Sequence, residues 1–401
     1  MKLWNQVPLS DLCEQDRSII EPGTRQAKQL PYLSLEHVES KTGRILKEAT
    51  EKIEDEGKST TFLFNNGHVL YGKLRPYLNK VALPSFEGRC TTEIIPLLPS
   101  AGVDREYLAF LLRNGATIDA AMKGTTGSRM PRANMKELMR MEVPLPPLPE
   151  QCRLAALLKA QMAAVEQARK AAEERVEAAK KLESTLLHYA FGGIVPIAIE
   201  HSEVPAKGGW SWKLLTSLAK LESGHTPSRR HPEWWGGDVE WLQLSDVRKL
   251  DGAVAMSTGE RTNELGLANS AARLLPAGTV CLSRTASVGF VTIMGREMAT
   301  SQDFANWVCG DDLDPRFLMY AFMASRHFFR DLSSGATHKT VYMPTIKSLV
   351  LHTPGLEEQR RIVALLDHGV NVSRSLVATA STELATLEAL PGRLLAEVFG
   401  E

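Results

Sequence analysis

The amino-acid sequence repeats itself, and this repeat constrains the fold more than any other feature. A shift of 208 residues aligns Gly127 to Gly192 without a gap onto Gly335 to Gly400. The identical pairs include Glu150/Glu358, Gln151/Gln359, Arg153/Arg361, Leu157/Leu365 and Phe191/Phe399. Because self-similarity at a fixed period marks duplicated structural units, the sequence predicts two copies of one plan. Each copy is a variable globular domain followed by a better-matched segment.

The matched segment is expected to form a long helix in each copy. Pro144-Leu-Pro-Pro-Leu-Pro149 cannot lie inside a helix, and about 40 residues free of Pro and Gly follow it. Ala, Glu, Lys, Arg and Leu dominate them, and these residues favour helix. Positions at alternating spacings of three and four residues are mostly apolar, as in the seam between paired helices. The expected helix-pair core consists of Leu154, Leu158, Val165, Leu182 and Leu186 in the first copy and Ile362, Leu366, Leu376, Leu387 and Leu394 in the second.

A narrow apolar stripe on a helix of about 60 Å must be buried against a partner. The second copy of the same helix is the preferred partner, which predicts an antiparallel pseudo-symmetric pair. The alternative is that each helix packs on its own globular domain. Pro391-Gly392 should kink or break the second helix near its end.

The sequence pattern of the globular domains predicts a mixed α/β fold. Short β-like runs, such as Val69-Leu-Tyr and Val288-Gly-Phe-Val-Thr-Ile, alternate with helical runs such as Tyr107 to Arg113. The expected division of the chain is a first domain, a central helix, a linker, a second domain and a C-terminal helix, at residues 1–148, 149–192, 193–208, 209–356 and 357–401.

Composition and motifs exclude several classes of protein. Lys plus Arg equals Asp plus Glu at 47 each, whereas a non-specific DNA binder carries a basic excess. The five cysteines form no C-x-x-C pair, which indicates free thiols in a reducing, cytoplasmic setting. No apolar run is long enough to cross a membrane. Catalytic and metal-binding motifs are missing, and Gly67 to Lys73 only approximates a phosphate-binding loop because Leu74 replaces its Ser or Thr.

Local windows of the chain are nevertheless strongly basic at related places in both copies. Lys and Arg neutralise phosphates, and Arg, Ser and Thr can also read base edges. A solvated charged surface is the alternative interpretation of each window. An acidic run from Glu48 to Glu56 offsets the basic loops in the total charge. The candidate DNA-binding residues are Lys73, Arg75, Tyr77, Lys80, Arg129 and Arg132 in the first half and Thr226, Ser228, Arg229, Arg230, Ser283, Arg284, His338 and Lys339 in the second.

Three kinds of motif stand in a fixed order along the chain. Gly127-Ser128 precedes the helix entry Pro146-Pro-Leu-Pro-Glu-Gln-Cys-Arg-Leu154, and Gly335-Ala336 precedes the second entry, Pro354-Gly-Leu-Glu-Glu-Gln-Arg-Arg-Ile362. Gly224-His-Thr-Pro-Ser228 is followed by two tryptophans and a glycine. In this order and over the full length, these motifs resemble the specificity (S) subunit of Type I restriction–modification systems, in which the Gly-x-Thr-Pro-Ser sequence opens a recognition domain. The second helix entry departs from the family's pattern by one glycine, the second loop lacks its serine, and the first half lacks a clear Gly-x-Thr-Pro-Ser element.

The resemblance implies an α/β fold in which two pseudo-symmetric α/β target-recognition domains are separated by two long antiparallel coiled-coil-like helices. It implies no catalytic residues, cofactor or metal in this chain, which would read a bipartite double-stranded DNA target. Two methyltransferase (M) subunits would supply S-adenosylmethionine binding and adenine methylation. A restriction (R) subunit would use ATP and Mg. A protein-binding coiled-coil scaffold without DNA binding, or an enzyme with an unrecognised site, are the alternatives.

Overall fold

A computed structural model describes residues 4–46, 59–125, 129–199, 208–333 and 339–400. The chain forms two compact units, the first made of Met1–Glu173 with Ser381–Glu401 and the second of Glu174–Ala380. Each unit therefore combines one globular domain with the start of the long helix that follows it and the end of the other long helix.

The described residues of the first unit form three small sheets. Their strand orders are β1-β10, β2-β9-β6-β7 and β3-β5-β8-β4. The strands are β1 Asn5–Pro8, β2 Cys13–Gln15, β3 Ile19–Ile20, β4 Tyr32–Leu33, β5 Thr61–Phe64, β6 Val69–Gly72, β7 Val81–Ala82, β8 Gly88–Thr91, β9 Ile94–Pro99 and β10 Glu142–Leu145. The helices are α1 Leu9–Leu12, α2 Arg25–Gln29, α3 Arg105–Arg113, α4 Gly115–Lys123, α5 Met135–Leu138 and the long α6 Leu148–Ala190, which continues into the second unit.

The second unit repeats this plan. Its strand orders are β11-β21-β12, β13-β20-β17-β18-β15 and β16-β14-β19. The strands are β11 Ile197–Ala198, β12 Ser211–Leu214, β13 Ala219–Ser223, β14 Trp235–Leu242, β15 Val254–Ala255, β16 Glu260–Thr262, β17 Val280–Ser283, β18 Val291–Met294, β19 Met298–Thr300, β20 Phe304–Cys309 and β21 Val350–Thr353. The helices are α7 Leu215–Leu218, α8 Leu244–Lys249, α9 Glu264–Ala268, α10 Pro315–Ala324, α11 Arg326–Leu332, α12 Met343–Lys347 and the long α13 Leu356–Phe399.

Equivalent elements occupy equivalent places in the two units. The order β2-β9-β6-β7 corresponds to β13-β20-β17-β18, and α3 and α10 follow the same strand in each unit. Both helices begin at an aspartate, Asp104 or Asp314, whose carboxylate accepts an N–H of the first turn at 2.8 Å. Such N-caps fix where a helix starts. The predicted α/β class with two pseudo-symmetric domains is confirmed.

The long helices run antiparallel within each unit. In the first unit, Leu154 and Leu158 of α6 share a core with Leu395 near the end of α13. In the second unit, Ser373 of α13 donates to the carbonyl of Ala179 at 2.7 Å. Each helix start also enters the core of its own domain, so both packing alternatives occur together.

One predicted core residue is wrong, and of the kink or break expected at Pro391-Gly392 the break does not occur. Leu376 is 49% exposed, because the buried stripe steps from Ser373 to the half-buried Val377. An α-helix turns once per 3.6 residues, so a strict three–four alternation loses register locally. The helix also does not break at Pro391-Gly392 but continues to Phe399. Packing of the last two turns on the first domain, including Tyr107 against Phe399 at 5.4 Å between ring centroids, offsets the hydrogen bond that Pro391 removes.

The other predicted core residues differ in burial: the buried ones are Leu154, Leu158, Val165, Ile362 and Leu366, and the half-buried ones are Leu182, Leu186, Leu387 and Leu394. Of the short β-like runs named above, Val69-Leu-Tyr lies in β6. The run beginning at Val288 forms a strand only from Val291, because Gly289, at φ 90°, turns the chain before it. Among the residues that the structure describes, no helix combines the length and apolar character needed to cross a membrane.

A buried histidine in the second unit predicts sensitivity to acid. His352 on β21 packs against Trp210 and Trp212, at 5.1 and 4.9 Å between ring centroids, and neither ring nitrogen has a hydrogen-bond partner among the described residues. Burial lowers the pKa of His352 because the charged imidazole would lose its hydration. Protonation therefore favours the unfolded state, whose histidine titrates near pH 6.5.

We expect the stability that depends on neutral His352 to be complete above pH ~6.5 and to fall as the pH drops below it. His352→Phe should remove this contribution to acid sensitivity, at about 1.4 kcal/mol for each unit by which burial lowers the pKa. Denaturant unfolding at pH 7.5 and 5.0 measures it. An equal loss of stability in both proteins between these pH values would contradict the prediction.

Candidate nucleic-acid interface

Three chain segments meet beside the end of β6 in the first unit. Lys73 donates its backbone N–H to the carbonyl of Glu93 at 2.9 Å and accepts from the N–H of Ala133 at 2.8 Å. Arg75 donates its backbone N–H to the carbonyl of Pro131 at 2.7 Å. These bonds fix the strand end, the turn after β8 and the segment before α5 to one another. We call this arrangement the first junction.

The second unit builds the same arrangement at the end of β17. Arg284 donates its backbone N–H to the carbonyl of Asp303 at 2.8 Å and accepts from the N–H of Val341 at 2.9 Å. Ala286 donates to the carbonyl of Lys339 at 2.9 Å. Each of these bonds has its counterpart in the first junction, and we call this arrangement the second junction.

The two junctions share a backbone but display different side chains. Arg75 and Ala286 occupy the same place and both have left-handed backbone conformations, with φ of 52° and 57°. Residues other than glycine adopt this conformation at a cost, so it persists only where the surroundings impose it. Arg75 is exposed at this point, whereas Ala286 offers only a methyl group. The frame is therefore constant while the chemistry it presents varies.

The first junction brings together most of the cations predicted in the first half. Lys73 is half-buried, Arg129 is exposed and Tyr77 is 51% exposed. The Nε of Arg132 donates to both carboxylate oxygens of Glu93, at 3.0 and 3.2 Å.

Lys80 behaves differently from the cations at the first junction. Its ammonium group donates to the carbonyl of Leu35 at 2.6 Å, and burial lowers its pKa. This bond engages the ammonium within the domain and makes Lys80 less suited to a DNA contact than the exposed Arg75, while the predicted contact itself stays a prediction.

One residue predicted in the second half is buried in the structure, and another lies outside the described residues. Ser283 is completely buried at the end of β17, where its hydroxyl accepts from the N–H of Phe290 at 3.0 Å and donates to the carbonyl of Ser287. A buried hydroxyl with both roles filled cannot reach DNA, so this prediction is wrong. His338 lies outside the described residues, as do the Gly127-Ser128 and Gly335-Ala336 loops and the acidic run from Glu48 to Glu56.

The loop that contains the Gly-x-Thr-Pro-Ser sequence packs onto the second junction. His225 donates its backbone N–H to the carbonyl of Thr300 at 2.9 Å, and the Thr226 hydroxyl donates to the side-chain oxygen of Gln302 at 2.5 Å. Arg284 donates from Nη2 to the carbonyl of Gln302 at 2.8 Å. Gln302 thus connects two predicted DNA-binding residues from distant parts of the sequence.

An arginine is held in place further along this loop. The guanidinium carbon of Arg229 lies 3.6 Å from the ring centroid of Trp235, and its Nη2 donates to the carboxylate of Glu260. Trp235 contacts the buried Trp241 edge-to-face at 4.8 Å. The neighbouring residues Ser228, Arg230 and Lys339 are exposed.

The polar partners of these cations, namely Glu93, Glu260 and Gln302, were not predicted from the sequence. The two copies also align weakly upstream of the long helices, where Thr92-Glu93 falls opposite Gln302-Asp303, and this alignment is the available signal for Glu93 and Gln302. No group of three or more potential metal ligands occurs within the described part of the chain.

Comparison with known proteins reveals one family. The model of the Type I restriction modification DNA specificity domain matches residues 1–175 and 207–384. The Type I restriction enzyme MjaIX specificity subunit of Methanocaldococcus jannaschii is 29% identical over 162 residues, which cover 40% of this chain and 37% of that protein. The EcoDI specificity subunit of Escherichia coli is 29% identical over 162 residues, covering 40% and 36%. The matched stretches thus span less than half of either relative.

Solved structures share the fold over almost the whole chain. A chain from the structural study of complex assembly and conformational transition of a type I R-M system has a TM-score of 0.78 at 20% identity, covering 99% of this chain and 97% of that chain. The HsdS subunit from Thermoanaerobacter tengcongensis has a TM-score of 0.62 at 20% identity, covering 99% and 96%. Likeness at this identity concerns the fold alone.

Proposed function

The chain belongs to the family of Type I restriction–modification DNA specificity domains, and we propose that it reads a bipartite double-stranded DNA target, one half-site with each domain. Residues 1–148 and 209–356 are the target-recognition domains in this proposal. The observation that carries it is the pair of junctions, which use equivalent backbone bonds to display different side chains. A constant frame with variable exposed side chains suits the reading of two different sequences.

The long helices set the unread gap between the half-sites in this proposal. Major-groove half-sites that are read from one face of the duplex lie about one helical turn, ~34 Å, apart. The chain contributes recognition, and two methyltransferase subunits contribute S-adenosylmethionine binding and adenine N6 methylation of a flipped base. Where a restriction subunit is present, it contributes ATP- and Mg-dependent cleavage.

The proposal is tested by a methylome. The chain is co-expressed with the methyltransferase of its own system in a host without adenine methylation, and methyladenine is located by sequencing. We expect a split motif with a fixed gap. A stable complex with the methyltransferase that produces no new motif would refute DNA reading and favour the scaffold alternative.

Arg75→Gly should weaken DNA binding by the first domain without lowering the stability of that domain. Glycine adopts φ near 52° without the steric cost of a side chain, so we expect the folded state to be unchanged or up to ~1 kcal/mol more stable. Loss of the exposed guanidinium should weaken binding of the complex to its target about tenfold. Thermal unfolding and DNA titration at fixed salt measure the two effects.

Lys80→Ala provides the comparison for Arg75→Gly. Because its ammonium is bound to the carbonyl of Leu35, we expect a loss of stability with little effect on DNA affinity. If Lys80→Ala weakened DNA binding more than Arg75→Gly, this assignment of the two residues would be reversed.

A duplicated surface at the helix starts supports the docking of two copies of one partner. Arg153 donates from Nε to Glu150 at 2.7 Å, and Arg361 makes the same bond to Glu358 at 2.7 Å. One turn further on, the identical residues Leu157 and Leu365 are 42% and 51% exposed. Leucine exposed at both equivalent places is typical of a surface that a partner covers.

Leu365→Glu should reduce methyltransferase docking without unfolding the chain. The change at an exposed position should alter stability by less than ~0.5 kcal/mol. Loss of an apolar anchor should weaken one of two docking events about tenfold or more. Native mass spectrometry of the co-expressed complex should then show mainly one methyltransferase per chain.

Val372→Glu is the matched control for Leu365→Glu. Val372 is exposed on the same helix, but its counterpart in the first copy is Ala164, so it is not part of the duplicated surface. Equal loss of the methyltransferase in both variants would contradict the assignment of the surface.

A further inference from the structure

The guanidinium group of Arg229 is restrained both in its plane and in its rotation within that plane. Its guanidinium lies against the Trp235 ring at 3.6 Å and 5.3 Å from the centroid of Trp241, which sets the plane of the group. The Trp235 Nε1 in turn donates to the carbonyl of Ser228 at 3.4 Å. The bond from Nη2 to Glu260 then limits rotation of the guanidinium within that plane.

This arrangement suits a base edge better than a phosphate. A phosphate accepts a cation from many directions and is repelled by a neighbouring carboxylate. A base edge requires a guanidinium held in one plane and one direction, and guanine offers the matching pair of acceptors, O6 and N7. The Arg229 side chain is 51% exposed, and Glu260 occupies only one of its five N–H groups among the bonds of the described residues.

The first unit contains a second arginine held by a glutamate. The Nε of Arg132 donates to both oxygens of Glu93, and the Arg132 side chain is 41% exposed at the first junction. The counterpart of Arg132 in the second unit is Thr340, so this pair does not occupy the same place as Arg229 and Glu260. The two arginine–glutamate pairs beside the candidate interface, among the several in each unit, therefore lie at different positions, which common descent of the repeat does not explain.

A purely stabilising role explains these pairs poorly. Exposed ion pairs contribute ~0–1 kcal/mol to folding. We propose that Glu260 and Glu93 are positioning residues that hold Arg229 and Arg132 as guanine readers, so that each half-site contains a G·C pair recognised in this way. The inference rests on the proposed function and names the base that these residues read.

The test uses the complete complex of the chain with its methyltransferase. Arg229→Lys keeps the charge but loses the planar fork, and Glu260→Ala removes the group that directs the fork. We expect both to relax one G·C position of the second half-site, lowering discrimination against other bases about tenfold or more, while the first half-site is read as before. Glu260→Gln, whose amide oxygen can still accept from Arg229, should largely restore the preference. Glu93→Ala should relax one G·C position of the first half-site only.

Glu264→Ala is the matched control, since Glu264 is exposed on α9 in the same unit and has no bond to an arginine among the described residues. A wild-type half-site without a specified G·C pair would overturn the inference at once. So would a Glu260→Ala complex that methylates its unchanged motif at a uniformly lower rate. Absence of any motif in the wild type would instead remove the proposed function itself. These three results are distinguishable in one set of methylomes.

Discussion

Gly224→Ala is expected to abolish reading of the second half-site while the first half-site is still read. A Cβ at this position would lie 2.1 Å from Thr300 Oγ1, 2.2 Å from the carbonyl oxygen of Ser301 and 2.4 Å from that of Thr300. Two of these atoms belong to the backbone at the end of β19 and cannot rotate away. The loop must therefore separate from the strand, which breaks the bond between His225 and Thr300.

Displacement of this loop removes several predicted contacts at once. Thr226 loses its bond to Gln302, and Arg229 moves with the loop away from Glu260. We expect target affinity to fall at least tenfold and the methylome to retain only the first half of the motif. Overpacking of this kind costs ~1–3 kcal/mol, so the domain should remain folded at 25 °C. Unfolding of the purified variant, monitored by circular dichroism, measures this separately.

Gly355→Ala is the control for Gly224→Ala. Its added Cβ would meet open space, and Gly355 lies in the same unit just before α13. Its motif and affinity should match those of the wild type. If Gly224→Ala also methylated the complete motif, the loop would not position the reading residues of the second domain.

The repeat allowed the architecture to be predicted because duplication is visible wherever packing constrains the sequence. Glu150 to Arg153 matches Glu358 to Arg361 because these residues make the same bonds at both helix starts. The Gly-x-Thr-Pro-Ser sequence indicated a special loop. The close approach of Gly224 to β19 could not be predicted, since Thr300 and Ser301 lie more than 70 residues away in the chain.

The candidate site was harder to predict than the fold because charge in a sequence does not show where the charge is held. Lys80 and Arg75 belong to the same basic window, yet one ammonium is bound to a backbone carbonyl and the other cation is exposed. The alternation of apolar and polar residues did not show whether Ser283 belongs to a strand or to the loop that follows it. In the structure Ser283 is the last residue of β17, and all four residues of this strand are buried. Only the tertiary structure distinguishes these cases.

Gln359→Leu should produce the largest loss of stability of any single substitution considered. Gln359 is 1% exposed, and its side-chain nitrogen donates to the carbonyls of Asp312 and Pro354, each at 3.0 Å. Its oxygen accepts the backbone N–H of Asp314 at 2.9 Å. The side chain therefore fixes the start of α13 to the N-cap of α10. Leucine has similar volume but leaves these backbone groups buried without partners, at ~1–3 kcal/mol for each group.

We expect Gln359→Leu to lower the free energy of unfolding of the second unit by at least ~3 kcal/mol, measured by denaturant titration followed by fluorescence. Gln151→Leu should act alike on the first unit, because Gln151 bonds to Gly102, Asp104 and Pro146 in the same way. Gln167→Leu, at an exposed position of α6, should change stability by less than ~0.5 kcal/mol. If Gln359→Leu lowered the free energy of unfolding no more than Gln167→Leu does, the hydrogen bonds of Gln359 would not be what holds the helix start. The expected loss would instead explain why the Glu-Gln pair persists in both copies: it joins each domain to the helix that, in the proposed function, sets the spacing of the half-sites.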